Sequence, residues 1–316
     1  MAELFPAPRR GAARVGDLPE VELARRLADS GVIVDIGPFS IRLTSPILDV
    51  ARDFHRMYAD FPLGDDGQVV DVGIDLQRPW GLRRWWRPQM LIAIEGVRQF
   101  NPVELAFGSA AFEWAFNMSL AARTNQHLVV HAGVVEKGGR AVVLPADPGA
   151  GKSTLSAALM ASGWRLLSDE AVVLAPDDTV LSIPRPVMLK GPSTAMIRAR
   201  FPALEMTVPR PAPPDTEGPL CLVRPSGNSV AAAATPARVR WVVFPRYRSG
   251  AAFAVQQLER GPAFMRLAEH TINYGVRGLS AFEQLGRVVG GATCHTLEYS
   301  VLDEALDFFE RLSREA

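Results

Sequence analysis

The stretch Ala146-Asp147-Pro148-Gly149-Ala150-Gly151-Lys152-Ser153 decides how the second half of this chain is interpreted. An apolar run at 141–145 precedes it, and a helix-prone run at 154–160 follows it. A strand, a glycine-rich turn and a helix in this order form the setting of a phosphate-binding loop. In such a loop, backbone N–H groups and the positive end of the helix hold a phosphate together with the lysine, here Lys152.

The motif therefore predicts a nucleoside triphosphate site in which Ser153 ligates Mg²⁺. Ala146 stands where the first glycine is usual, and a methyl group there is compatible with the loop. The alternative is a chance match, in which a Gly/Ala/Ser turn precedes an ordinary helix. The predicted nucleotide-binding residues are Asp147, Pro148, Gly149, Ala150, Gly151, Lys152, Ser153 and Thr154.

Composition limits the class of protein and its partners. The chain has 316 residues, of which 48% are hydrophobic and 22% charged, as in a soluble globular protein of one large or two modest domains. Lys+Arg and Asp+Glu are balanced at 34 each, so we expect neither nucleic acid nor an anionic membrane as a partner. Cys221 and Cys294 are too few and too far apart for a zinc site or a disulfide framework, which favours a cytoplasmic protein.

Two regions of different pattern predict two domains. The first half alternates strand patterns with one helix at 48–61, which predicts a smaller α+β domain over residues 1–118. From residue 126 the pattern changes to a hairpin with arms at 128–136 and 140–144, and its second arm leads into the phosphate loop. We therefore predict a second domain over 119–316. Its other expected elements are strands at 163–174 and 238–245 and an amphipathic helix at 302–312.

Three features in this order carry a resemblance to a known family. They are His131 in a hairpin strand, the loop that ends in Gly151-Lys152-Ser153, and a strand that carries Arg165-Leu166-Leu167-Ser168-Asp169-Glu170. The chain resembles the HPr kinase/phosphorylase family. Through its segments 163–170 and 184–190 it resembles more closely the HPr-kinase-related kinases of the A type. The resemblance implies an α/β fold with a mixed sheet: a P-loop kinase domain of the HPr kinase and phosphoenolpyruvate carboxykinase type after the smaller α+β domain.

The resemblance also implies an activity and roles for individual residues. The activity is ATP-dependent, Mg²⁺-requiring transfer of the γ-phosphate to a hydroxyl, most plausibly serine, on a peptide or small protein, in a protein that forms a homo-oligomer. Lys152 would contact the β- and γ-phosphates, Asp169 would be the catalytic base, and Glu170 would join Ser153 as a metal ligand. His131 would assist the base or bind phosphate, and Lys190 would stabilise the transferring phosphoryl group.

Departures from the family pattern keep other functions open. Met188 stands where the family has a metal-binding glutamate, and Glu170 replaces a second aspartate. The alternatives are a nucleotide-binding regulatory protein with little transferase activity and a kinase of small metabolites. His131 could instead be a hydrogen-bonded, partly buried histidine, and Lys190 an ordinary surface lysine.

Two further expectations concern neighbouring side chains and substrate docking. On an extended strand Asp169 and Glu170 point to opposite faces, so one alone would face the nucleotide unless the strand ends or bulges there. Of the two, Asp169 is the first choice. Acceptor docking falls to the first half, where Arg83-Arg84-Trp85-Trp86-Arg87 is more typical of an interface than of a nucleic-acid surface.

Overall fold

The structure, a computed structural model, describes residues 12–81, 86–211 and 218–315. Within these ranges the strands are β1 (Val32–Ile36), β2 (Phe39–Thr44), β3 (Val72–Gln77), β4 (Gln89–Ile94), β5 (Val97–Arg98), β6 (Val103–Glu104), β7 (Leu128–Val130), β8 (Ala132–Lys137), β9 (Arg140–Pro145), β10 (Arg165–Ser168), β11 (Val172–Leu174), β12 (Thr179–Leu181), β13 (Val187–Lys190), β14 (Arg210–Pro211), β15 (Pro219–Val223), β16 (Ala237–Tyr247), β17 (Ala254–Leu258) and β18 (Thr293–Tyr299). The α-helices are α1 (Glu20–Ala28), α2 (Leu48–Met57), α3 (Ala110–Arg123), α4 (Lys152–Ala161), α5 (Pro192–Arg200), α6 (Gly227–Ala231), α7 (Arg260–Glu269), α8 (Tyr274–Arg277), α9 (Leu279–Gly291) and α10 (Leu302–Arg314).

The chain divides into two compact units, and each is discontinuous in sequence. The first comprises Met1–Leu120 and Arg185–Ala234, and the second comprises Ala121–Pro184 and Thr235–Ala316. The predicted division into 1–118 and 119–316 differs from these units because it places residues 185–234 with the second half. No helix of the described residues is long and apolar enough to cross a bilayer.

The first unit contains a mixed six-stranded sheet and a separate three-stranded one. The larger sheet has the order β1-β2-β3-β4-β5, with β6 on β4, and the smaller has the order β13-β15-β14. Alternate residues of β1 are buried, as expected for a strand with one face on a core. The rings of Phe54, Tyr58 and Phe112 pack together within this core, at centroid distances of 4.5–5.6 Å.

Buried ion pairs inside the first unit explain why the segment from Arg185 to Ala234 returns to it. The Arg185 guanidinium donates to the Glu113 carboxylate at 2.9 Å, and both side chains are almost fully buried. Arg210 donates to the buried Asp53 at 2.8 Å. Each arginine comes from the returning segment and each carboxylate from an earlier helix. Since a buried charge without its partner is costly, these pairs hold the segment in the first unit.

The second unit is built on a mixed nine-stranded sheet. Its order is β10-β8-β9-β16-β12-β11-β7, with β18 on β16 and β17 on β18. The strands β8 and β9 form the predicted antiparallel hairpin, whereas β16 runs parallel to both β9 and β18. The predicted mixed α/β class is therefore confirmed, and the kinase type of the domain stays a prediction. Because β9 lies between β8 and β16, the loop that follows it leaves from the interior of the sheet.

Two strands predicted as continuous are broken in the structure. Residues 128–136 form β7 and β8, with His131 between them, and residues 163–174 form β10 and β11, with Asp169 and Glu170 between them. The two segments run antiparallel along each other. Strand β10 pairs with β8 as far as Ser168↔Val134, and β11 pairs with β7 from Val172↔Val130 onward. Between these two stretches the strand pairing is interrupted. We call this interruption the ladder opening.

Candidate functional site

The loop between β9 and α4 has the backbone geometry that its glycines predict. The strand ends at Pro145 and the helix begins at Lys152. Gly149 and Gly151 have φ angles of 85° and 90°, in the left-handed region that glycine adopts without strain. No backbone carbonyl among the described residues accepts a hydrogen bond from the N–H groups of Lys152 or Ser153. The positive end of α4 therefore presents open donors, as the first turn of a helix does.

Gly151 is also required by the space around it. A Cβ at this position would lie 2.8 Å from Tyr299 Oη and 3.0 Å from Tyr247 Cβ. The Tyr247 N–H donates to the carbonyl oxygen of Ala150 at 2.9 Å, which ties the loop to the end of β16. The two tyrosines therefore support the loop from the side of the parallel strands.

The Lys152 side chain occupies the centre of a polar cluster. Its Nζ lies 3.3 Å from His131 Nε2 and 3.4 Å from Glu170 Oε2, and His131 Nδ1 lies 3.6 Å from the same Glu170 oxygen. Lys152 is only 8% exposed. Burial, reinforced by the Lys152 charge, lowers the pKa of His131 below its ordinary value. The imidazole is therefore neutral at neutral pH, and a neutral ring nitrogen can accept a hydrogen bond from the ammonium group.

Asp169 lies beneath this cluster as a buried carboxylate. It is 5% exposed, and neither carboxylate oxygen has a hydrogen-bond partner of good geometry among the described residues. Burial raises the pKa of Asp169, while the charge of Lys152 and the nearby hydroxyls of Ser153 and Ser156 oppose the rise. A buried polar group that lacks partners is costly, so its presence is typical of a functional site.

The ladder opening brings these side chains together. Asp169 and Glu170 follow the end of β10 in a bend, so they are not bound to the opposite faces of a strand. The strand ends before Asp169, which is the condition under which both carboxylates can face the site: Glu170 contacts Lys152, and Asp169 experiences the Lys152 charge. The prediction that His131 lies within a hairpin strand is wrong, since His131 lies in the break between β7 and β8.

The oxygen donors of this cluster fit a magnesium ion. The hydroxyl of Ser153 and the carboxylate of Glu170 are hard ligands of the kind that Mg²⁺ prefers, and the partnerless oxygens of Asp169 lie in the same cluster. Within the described ranges, no group of three or more His, Cys, Asp or Glu residues is placed to hold a metal by itself.

The other residues discussed from the sequence, Lys190 and the basic and aromatic run, belong to the first unit. Lys190 is an exposed residue at the end of β13 in the first unit, and Met188 is buried in the same strand. The role predicted for Lys190 stays a prediction. Of the basic and aromatic run, residues 83–85 lie outside the described residues. The next two are exposed, and the Arg87 guanidinium lies 5.5 Å from the centre of the Trp86 ring.

Sequence reasoning missed two residues beside the cluster. Ser156 is fully buried on α4, and its hydroxyl approaches Asp169. Its spacing of three residues from Ser153 places both on one helix face, which is a signal that the sequence contains. Tyr247 was missed because its proximity to the loop depends on the pairing of β16 with β9, for which the local pattern holds no signal.

Comparisons with known proteins add little to this geometry. No known protein-family model and no curated protein matches the chain. One similar solved structure is that of the Hpr(Ser) kinase/phosphatase from Coxiella burnetii, with a TM-score of 0.27 and 13% sequence identity. The match covers 60% of this chain and 99% of that chain. This TM-score is below the level at which a common fold is inferred, so membership of the family stays a prediction.

Proposed function

We propose that the second unit binds ATP with Mg²⁺ at the loop before α4 and transfers the γ-phosphate to a hydroxyl group. The observation that carries the proposal is the position of Lys152. Lys152 is in the first turn of α4, where the backbone N–H donors are open. Its Nζ lies 3.4 Å from Glu170 Oε2 and close to the buried Asp169 carboxylate, which has no hydrogen-bond partner of good geometry among the described residues. A phosphate-binding loop joined to a buried base is the arrangement that phosphoryl transfer requires.

Binding would use the loop and its immediate neighbours. The open N–H groups and the Lys152 ammonium can neutralise phosphate oxygens, and Ser153 and Glu170 would hold the metal. A bound Mg²⁺ supplies charge neutralisation at the β- and γ-phosphates. The neutral His131 ring can accept a hydrogen bond from the Lys152 ammonium at 3.3 Å and so orient it towards the phosphates.

The chemical step would use Asp169. Its carboxylate oxygens have no hydrogen-bond partner of good geometry within the described part of the chain, although the Ser153 and Ser156 hydroxyls lie nearby, so they can accept a hydrogen bond from an incoming hydroxyl. Burial raises the pKa of Asp169, which makes the ionised form a stronger proton acceptor than an exposed aspartate. We assign to Asp169 the orientation and deprotonation of the acceptor hydroxyl, proposed to be a serine of a peptide or small protein.

The test compares binding with turnover in three variants. We expect Lys152→Ala to abolish or greatly weaken Mg·ATP binding, measured by calorimetry. Asp169→Asn is expected to keep ATP affinity while transfer of labelled γ-phosphate falls on the order of a hundredfold or more. Asp307→Asn, an exposed change of the same chemistry on α10, is the matched control and is expected to leave both unchanged.

Each alternative gives a different result. Unchanged ATP affinity in a folded Lys152→Ala variant would show that this loop is not the nucleotide site. A parental chain that binds ATP but phosphorylates neither the peptides and small proteins encoded beside it nor small hydroxy compounds would be a regulatory nucleotide-binding protein. Turnover with small hydroxy compounds alone would identify a metabolite kinase. Parental turnover in Asp169→Asn would move the role of base to Glu170 or His131.

A further inference from the structure

We infer that Tyr247 forms the nucleobase subsite of this site, with its ring stacked against the base of the bound nucleotide. The inference rests on the proposed function, because it requires the triphosphate to occupy the loop before α4. It adds a contact that decides whether the loop binds a nucleotide better than a bare triphosphate.

The order of the strands indicates which end of the bound nucleotide lies on which side of the loop. The strand before the loop, β9, lies between β8 on one side and β16 on the other. The side of β8 carries His131 and, across the ladder opening, Asp169 and Glu170, all of which belong at the transferring phosphate. The nucleoside part of the bound nucleotide would then extend from the loop towards β16, whose last residue is Tyr247.

Tyr247 is attached to the loop through its backbone. Its N–H donates to the Ala150 carbonyl oxygen at 2.9 Å, and its Cβ lies against Gly151. Carboxyl ends of parallel strands are the usual place for ligands in sheets of this kind. The parallel pairing of β16 with β9 puts the end of β16 at the same edge as the loop.

The ring is supported on one side and accessible on the other. Tyr247 is paired in register with Tyr299 on β18, so both side chains lie on the same face of the sheet. Their ring centroids are 5.8 Å apart in an edge-to-face arrangement. Tyr299 is 2% exposed, whereas Tyr247 is 47% exposed. The Tyr247 ring is packed against Tyr299 and is partly open to solvent. Such a ring is suited to stacking on a nucleobase, because little side-chain freedom is lost on binding.

The experiment separates the base from the phosphates. Calorimetry compares Mg·ATP with inorganic tripolyphosphate and Mg²⁺, for the parent, Tyr247→Ala and Tyr247→Phe. We expect Tyr247→Ala to weaken ATP binding about tenfold and to leave tripolyphosphate binding unchanged. Tyr247→Phe keeps the ring and is expected to bind both ligands like the parent. Phe282→Ala, which removes another exposed aromatic ring of the second unit, is the matched control.

Three results would overturn the inference, and they are distinguishable. Parental ATP affinity in Tyr247→Ala would show that the ring does not contact the base. An equal loss for both ligands would show that Tyr247 only supports the loop, and a thermal melt would reveal whether the variant is less stable. If the parent binds neither ATP nor tripolyphosphate, the proposed function fails and the inference fails with it.

Discussion

Replacing Gly133 with alanine is expected to destabilise the second unit through one identifiable contact. A Cβ on Gly133 would lie 2.6 Å from Ser156 Oγ, 3.4 Å from Lys152 Cγ and 3.5 Å from Asp169 Oδ1. Side-chain carbons essentially never approach oxygen to 2.6 Å, whereas the other two distances are tolerable. The Ser156 hydroxyl is therefore the group that must move.

The magnitude follows from the limited freedom of Ser156. Its side chain is fully buried on α4, where helical backbone restricts the rotamers to which the hydroxyl can turn. Overpacking of a buried position costs about 1–3 kcal/mol. In a unit of this size each kcal/mol lowers the melting temperature by about 2–4 °C, so we expect a loss of about 2–12 °C.

A second substitution identifies the contact. Ser156→Ala removes only the hydroxyl, which has no hydrogen-bond partner of good geometry among the described residues, so alone it should change stability little. The Gly133→Ala/Ser156→Ala double variant should then regain most of the lost stability, because the two sites are directly coupled.

Calorimetric melting of the four proteins measures both effects. Gly290→Ala, an exposed helical change with open space around it, serves as the control for an added methyl group and should be neutral or slightly stabilising. Parental stability in Gly133→Ala would refute the close packing of β8 against α4. A double variant as unstable as Gly133→Ala would refute the assignment of the clash to Ser156.

Three further predictions concern the loop, the first unit and acid stability. Gly151→Ala should weaken Mg·ATP binding measured by calorimetry, since alanine is strained at a φ of 90° and its Cβ would meet Tyr299; parental affinity would contradict this. Arg185→Met should destabilise the first unit by about 3–5 kcal/mol, measured by thermal melting, because it removes the positive charge that faces the buried Glu113 carboxylate. The Glu113→Gln/Arg185→Met double variant should lose less stability, because no buried charge is then left without a partner. Burial lowers the pKa of His295, so the unfolded chain takes up the proton first and stability should fall as the pH drops below about 6.5. Because the pKa values of His127, His131 and His270 are lowered as well, His295→Leu should make this fall less steep without abolishing it; an unchanged slope would contradict the prediction.

Local patterns predicted the elements whose pairing is local. The hairpin of β8 and β9, the presence of a helix after the phosphate loop and the closing helix α10 all follow from periodicity and turn residues in neighbouring positions. The breaks at His131 and Asp169 could not be predicted in this way. They depend on how two segments more than thirty residues apart pair and where that pairing opens. The return of the segment after Pro184 to the first unit likewise depends on distant buried charges.

In the candidate site, too, local sequence features were predictable and contacts between distant segments were not. The spacing of the phosphate-loop motif selected Lys152 and the family resemblance selected Asp169, and the structure brings the two into one cluster. Neither the spacing nor the resemblance could select Tyr247, because its position beside the loop arises from the parallel pairing of β16 with β9. The resemblance also selected Lys190, which lies on β13 in the first unit, and its role stays a prediction.

The discontinuous first unit has a consequence for synthesis on the ribosome. Chains emerge from the amino end, and domains generally fold as units while they emerge. Glu113 and Asp53 are made well before the arginines that pair with them, which come only with residues 185 and 210. During that interval the nascent first unit lacks the arginine partners of these carboxylates, while the strands β7 to β12 are synthesised. Completion of the first unit must therefore wait for residues that are made after much of the second unit, so slowed translation between residues 120 and 185 should prolong the lifetime of the incomplete first unit.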